Sequence, residues 1–368
     1  MKVLFLAAHS EAEPSSRLKV YQFLPLLKEK GIKYRVICFA PLFLYKMRLT
    51  FVNNKPILFT YYILIYLFRL LKTIFAIIIA PRFDIVYIQQ PIIPFGLERV
   101  LKLANKNIIF QFTDAIFLAS REGEKSPLEQ CRSRLMAKSC IRMASVAKCC
   151  LVENDYNKAG VSKFCSYIDK ITGPIDADRY HPIKSKKEDK VVIGWTGSAF
   201  TTKYLYEIKD ALRDLFQRQS LVLRLIGARK DFVIDGVNCE IKDWKPDTEL
   251  KWLASFDIGI MPLTDDMWTK GKASYKLLQY MSMGIPVVIS PGGLVGFDNK
   301  IIKDGVNGFL ANSKEEWIEK LSLLIKNKEL RQKIGQNARI TIEEHYSLKK
   351  VSEDLIKIFE KTLSLKQP

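Results

Sequence analysis

Residues 271–310 restrict the folds open to this chain more than any other stretch. Tyr275, Leu277, Leu278, Met281 and Met283 recur there at three- and four-residue spacing, the period of a helix laid on a sheet. Gly284 ends that helix, and Pro286 prevents its continuation. Val287, Val288 and Ile289 follow without a charge between them, which predicts a short strand covered on both faces, as in parallel sheets. Gly292 and Gly293 come just past its carboxyl end, where open parallel sheets bind ligands and backbone amides can face an anion. Residues 297–303 look like the opening of another helix.

The same alternation runs through the rest of the chain. A strand at 3–8, a loop at 9–16, a helix carrying Leu18, Tyr21, Phe23, Leu24 and Leu27 up to Gly31, and a strand at 34–39 make a β-α-β unit. Its loop lacks G-x-G-x-x-G, which argues against a dinucleotide held in the Rossmann manner. Further strands are expected at 85–88, 108–112 and 148–152, and again at 191–195, 221–226 and 257–261. Gly173-Pro174 and the charged run 184–190 mark a linker between the two series. Since 368 residues exceed what one core usually serves, the expected fold is α/β with two doubly wound Rossmann-like domains.

Charge and cysteines narrow the partners. The net charge of +19 is concentrated at the front: residues 1–150 hold 23 Lys and Arg against 9 Asp and Glu. Nucleic acid, anionic membrane and a phosphorylated acceptor all suit such a field. No zinc-finger, RNA-recognition or basic-zipper signature accompanies it, so nucleic acid is not the expected partner. Seven cysteines without a C-x-x-C pair indicate reduced thiols in the cytosol. His9, His181 and His345 are too scattered for a zinc centre.

Residues 57–80 are the most hydrophobic, yet Arg69 and Lys72 sit among them. On insertion scales one such charge at mid-bilayer costs about 2.5 to 3.5 kcal/mol, so crossing is disfavoured. A helix buried on one side and dipping into a bilayer surface on the other fits, as does an ordinary core helix pair.

The order Lys276, Leu278-Gln279-Tyr280, Met283-Gly284-Ile285-Pro286-Val287-Val288, Ser290-Pro291-Gly292-Gly293 and Asp304-Gly305-Val306-Asn307-Gly308-Phe309 resembles the nucleotide-sugar half of retaining GT-B glycosyltransferases of family four, the glycosyl transferases group 1. The resemblance implies two domains facing a cleft. Residues 1–172 would face acceptor and membrane, 173–190 link, 191–348 bind the nucleotide sugar, and 349–368 form a helix crossing back to the first domain.

The resemblance also implies roles. Lys203 takes the place of the family's phosphate-binding lysine, while Gly197 and Ser198 stand where its loop arginine would be; Lys272 and Lys276 are candidates to supply the second cation. The two acids of E-x7-E fall on Gly271, which has no side chain, and on Gln279, whose amide can still bond ribose. The amides of Gly292 and Gly293 complete the donor set. Asp114 matches the polar strand-end residue beside the sugar, or simply caps the following turn. His9, Ser15, Ser16 and Arg17 belong to the loop that lines the cleft, although Arg17 fits a solvated first turn equally well. Asp114, Lys203 and Lys272 are thus the catalytic candidates. The implied activity is a retaining transfer, without metal or cofactor, from a nucleotide-diphosphate sugar to a glycan or lipid-linked acceptor. Cell-envelope polysaccharide or glycoconjugate synthesis on the cytoplasmic face of a membrane is the implied setting. A nucleotide-sugar epimerase of the same fold and a noncatalytic glycan- or nucleotide-sugar-binding subunit are the alternatives.

Overall fold

Long apolar runs with few internal charges make two six-stranded parallel sheets, one in each unit of the chain. A computed structural model describes residues 1–50, 55–119, 127–183, 189–273, 275–292 and 301–365. Met1–Thr172 with Val351–Pro368 make the first unit, and Gly173–Lys350 the second.

In the first unit the strands are β1 (Lys2–Ala7), β2 (Lys33–Cys38), β3 (Ile85–Gln89), β4 (Ile108–Gln111), β5 (Cys149–Val152) and β6 (Ile168–Lys170). They stand in the order β2-β1-β3-β4-β5-β6, with Phe5 beside Tyr87 and Tyr87 beside Ile109. Both faces of β1, β3 and β4 are buried, as uninterrupted apolar strands require. Cys149 and Cys150 are core residues of β5.

The single helix expected through Leu18 and Leu27 is instead α1 (Pro14–Lys19), a 3₁₀ turn (Tyr21–Phe23) and α2 (Leu24–Glu29). Pro25 explains the break, since it has no N–H to give and clashes with the preceding turn, so it is accommodated only where a new helix starts. Next come α3 (Leu42–Thr50), α4 (Lys55–Ile79), α5 (Leu97–Ala104), α6 (Pro127–Val146) and α7 (Asp155–Val161). Residues 121–126, just before α6, lie outside the described residues.

The core-helix reading of 57–80 needs correction. Only 28% of the apolar stretch is buried. Tyr61, Ile65, Thr73, Ala76 and Ile79 face the unit, and the remaining apolar side chains are largely in solvent.

The second unit contains β7 (Val191–Thr196), a 3₁₀ segment (Thr202–Ile208), α8 (Lys209–Arg218), β8 (Leu221–Ile226), β9 (Cys239–Lys242), α9 (Glu249–Leu253) and β10 (Ile258–Met261). It continues with α10 (Met267–Lys270), α11 (Tyr275–Ser282), β11 (Val287–Ile289), β12 (Phe309–Leu310), α12 (Lys314–Lys326) and α13 (Lys328–Thr341). The strand order is β12-β11-β10-β7-β8-β9. Lys203 sits on the 3₁₀ segment. Residues 297–300 of the expected helix lie outside the described residues, and 301–303 are not helical. The last helix, α14 (Leu348–Ser364), packs in the first unit, where Phe359 meets the rings of Phe5 at 6.4 Å and Tyr87 at 6.2 Å.

Two glycines fix α11 on the second sheet. Gly194 of β7 and Gly259 of β10 are register partners. A Cβ on Gly194 would lie 2.0 Å from the Phe256 ring, and one on Gly259 would lie 2.8 Å from the Tyr280 ring. Bare backbone at both positions lets the two rings rest directly on the sheet, 6.0 Å apart. The Thr196 N–H then donates to Tyr280 Oη at 2.7 Å, tying α11 to the carboxyl end of β7.

Candidate functional site

Lys276 lies one turn before Tyr280, so anchoring that tyrosine also aims the lysine. Its Nζ rests 4.5 Å from the centre of the buried Trp195 ring and 3.3 Å from Thr201 Oγ1. Gly197 makes the approach possible, because a Cβ there would stand 2.2 Å from Trp195 Cη2 and 2.6 Å from Lys276 Nζ. The loop after β7 is closed by its own hydroxyls: the Ser198 N–H donates to Thr201 Oγ1 at 3.1 Å, and the Thr202 hydroxyl donates to Ser198 O at 3.2 Å.

Two more ammonium groups join this one. Lys272 Nζ sits 4.0 Å from the centre of the Tyr204 ring, and Lys203 Nζ lies 5.4 Å from the same ring and 5.5 Å from Phe200. Neither Lys203 nor Lys276 forms an ion pair with a carboxylate among the described residues; their neighbours are aromatic faces and hydroxyls. Burial, and secondarily the charge on Lys272, pulls the Lys276 ammonium down to about 7. Lys203 and Lys276, faced by rings and hydroxyls, are held ready for an anion.

Gln279 is engaged otherwise. Its amide nitrogen donates to Glu249 Oε1 at 3.0 Å and to Tyr180 Oη at 3.1 Å, so both N–H hydrogens are used inside the unit. Buried Glu249 also accepts from Tyr180 Oη at 2.7 Å and from Trp244 Nε1 at 2.9 Å. Gly271 follows α10 as its cap, and Asp266 caps that helix at its start. Gly292 lies past the end of β11, two strands from Gly197 and hence roughly 10 Å along the same sheet edge. Gly293 is outside the described residues.

In the first unit the carboxyl ends of β1, β3, β4 and β5 carry the polar residues. Asp114, half-buried after β4, has φ of 59°, and Gln90, after neighbouring β3, has 66°. Side chains rarely adopt this left-handed backbone, and Asp and Asn tolerate it better than most. Gln90 Nε2 donates to Thr113 Oγ1 at 2.9 Å. Ser16 is fully buried; its hydroxyl donates to Gln89 Oε1 at 2.7 Å and accepts from the His9 N–H at 3.0 Å. Ser15 Oγ accepts from Gln89 Nε2 at 3.1 Å, so Gln89 binds both serines into the first loop. Arg17 is half-buried on α1, and only its backbone N–H makes a described bond, to Glu13 O at 2.9 Å. Lys19 and Glu153, both buried, form an ion pair beneath this edge. Burial pushes the Glu153 carboxyl up, the Lys19 ammonium opposes that shift, and nearby Asp114 adds to it.

The structure therefore gathers Gly197, Ser198, Lys203, Lys272 and Lys276 in the second unit, and His9, Ser15 and Ser16 in one network of the first. Trp195, Thr201, Tyr204 and Glu249 had not been singled out for a role, nor had Gln89, Gln90 and Lys19. Gln89-Gln90 had a visible signal, two amides directly after an apolar strand.

Comparison with known proteins bears on both units. HepE of Anabaena, crystallised with UDP and glucose, superposes with a TM-score of 0.65 at 15% identity, covering 99% of this chain and 100% of that one. A glycosyltransferase from Rickettsia africae gives 0.68 at 13% identity, with 99% of each chain covered. The fold is GT-B. Within it, residues 190–327 match the family model for glycosyl transferases group 1. An uncharacterized glycosyltransferase of Methanocaldococcus jannaschii is 40% identical over 96 residues, 26% of this chain. That match spans 24% of the relative's length.

Proposed function

We propose that this GT-B protein transfers a sugar from a nucleotide-diphosphate donor to a glycan or lipid-linked acceptor. The observation that carries the reading is the cluster of Lys203, Lys272 and Lys276 around the Gly197–Ser198 turn. A nucleoside diphosphate leaving group carries charge that grows as its bond to the sugar breaks, and preorganised cations stabilise that growth by several kcal/mol. The relatives support the donor class, since HepE is crystallised with UDP and glucose.

The proposed transfer retains anomeric configuration. The acceptor hydroxyl oxygen bonds to the anomeric carbon as the carbon–oxygen bond to phosphate breaks on the same face. The departing phosphate oxygen takes the hydroxyl proton, so neither a covalent enzyme intermediate nor a metal is required. Asp114 orients acceptor or sugar by hydrogen bonding, and the Gly292 amide adds a donor for the diphosphate, while the Ser198 amide, bonded to Thr201 Oγ1, holds the loop that leads to Lys203. The wider reading includes polysaccharide or glycoconjugate synthesis at the cytoplasmic face of a membrane, in peripheral contact with anionic lipid; the basic front half supports it.

Release of UDP or GDP from a panel of nucleotide sugars tests the reading, with wild type beside Lys203→Ala and Lys276→Met. Turnover at wild-type rates in both variants would remove the cluster from the reaction. A noncatalytic nucleotide-sugar-binding subunit is the second reading, favoured by the absent side chain at Gly271 and the occupied amide of Gln279. Donor binding without turnover on any acceptor would select it.

A further inference from the structure

We propose that the outward face of α4, with the start of α3 beside it, is an interfacial anchor lying in the plane of an anionic phospholipid leaflet. This specifies the surface and orientation behind the location proposed above, and it does not depend on the transfer reaction.

Length alone would allow α4 to cross. Its 25 residues span about 37 Å against roughly 30 Å of hydrocarbon. Packing decides against crossing. Tyr61 and Ile65 form a buried cluster with Ala40 and Leu44, Ala76 and Ile79 are buried further along, and just past the helix Ala80 O accepts from Asn105 Nδ2 at 3.0 Å. A spanning helix would have to leave this contact along its length, whereas a helix lying flat keeps it.

Among the described residues, nothing covers the opposite side. Phe59 is 68% exposed, Tyr66 56%, Leu71 66% and Ile78 65%, and Ile63, Leu67 and Ile74 lie open between them. On a helical projection at about 100° per residue, these seven share one continuous face. Arg69 and Lys72 fall outside that face, toward the protein, and are half-buried, so the charges that argued against membrane contact do not enter the lipid. Leu42 and Phe43 at the start of α3 are also exposed, and Phe43 stacks edge-on to Phe68 at 5.8 Å.

Charge selects the occupant. Residues 42–79 contain Lys46, Arg48, Lys55, Arg69 and Lys72 and no Asp or Glu. Tyr62 and Phe75 mark the two edges of the apolar face, and each carries a guanidinium: Arg132 over Tyr62 at 5.6 Å and Arg35 over Phe75 at 5.1 Å. Apolar side chains flanked by arginines fit acyl chains bordered by phosphate headgroups. A second copy docked on this face would set like charges against each other.

The test is co-flotation of the full chain with phosphatidylcholine vesicles, with and without phosphatidylglycerol. Binding is expected to require the anionic lipid. Leu71→Glu with Ile78→Glu should lower partitioning about a hundredfold, and Arg35→Glu with Arg132→Glu about tenfold on anionic vesicles only. Circular dichroism and thermal melts of these surface variants check folding. Orientation is read by quenching with brominated lipids, using Ile63→Trp and Ile78→Trp, since all five native tryptophans lie in the second unit. The two positions are about 22 Å apart along the axis, so equal shallow depths support the in-plane helix and unequal depths overturn it. Absence of vesicle binding, undiminished binding by the Leu71/Ile78 variant, or a dimer that this variant dissociates would each overturn the proposal.

Discussion

Donor affinity should fall as pH rises above 7, and Lys276 should be the cause. Its ammonium is pulled down to about 7, chiefly by burial and then by the charge of Lys272. In the free protein it is therefore about half charged at pH 7, a tenth at pH 8 and a hundredth at pH 9. A bound diphosphate favours the charged form, so binding draws in a proton. The cost of protonation is about 1.4 kcal/mol for each pH unit above 7, or roughly tenfold in affinity, until the pH passes the raised value in the complex. Titration calorimetry with the nucleoside diphosphate at pH 7, 8 and 9, in buffers of different ionisation enthalpy, reads both affinity and protons taken up. Uptake should rise from about half a proton at pH 7 toward one at pH 8. The empty protein should behave oppositely. Because folding lowers the affinity of Lys276 for its proton, the unfolded chain binds more protons between about 7 and the lysine's ordinary 10.5, and stability rises with pH across that window. Lys276→Met should remove both trends. An affinity flat from pH 7 to 9, or an unchanged slope in Lys276→Met, would refute the reasoning.

Gly197→Ala should lower stability by about 1 to 3 kcal/mol in thermal melts and weaken donor binding at least tenfold, because the new methyl meets Trp195 at 2.2 Å and Lys276 at 2.6 Å. Wild-type binding by this variant would mean that the lysine need not lie against the ring. Glu249→Leu, which strands the donors on Tyr180, Trp244 and Gln279, should cost about 3 kcal/mol in urea unfolding, and a loss under about 1 kcal/mol would show that the cluster contributes little. Ser16→Ala should reduce stability by about 1 to 2 kcal/mol through its lost bonds to Gln89 and His9, with little change in acceptor KM. A rise in KM at unchanged stability would restore Ser16 as an acceptor contact.

How far these sites were legible depended on whether the cause was local. Val287–Ile289 and Leu221–Ile226 stand where uninterrupted apolar runs put them, because burial on both faces leaves a parallel strand no room for charge. The helix expected through Leu18 and Leu27 failed at Pro25, where apolar spacing continued but the backbone could not. The lysine cluster was partly legible. Lys203, Lys272 and Lys276 could be named, yet nothing local distinguished half-buried Lys276 from a solvated helix lysine. That distinction comes from Gly194, Gly259 and Gly197, whose missing side chains seat Tyr280 on the sheet and carry Lys276 over Trp195. Gln279 shows the converse, since its spacing suited a ribose contact while Glu249, thirty residues earlier in the chain, takes its amide. The outward face of α4 was ambiguous for the same reason. Apolar periodicity tells which residues avoid water, and only the packing of Tyr61, Ile65 and Ala76 shows which of them the protein itself covers.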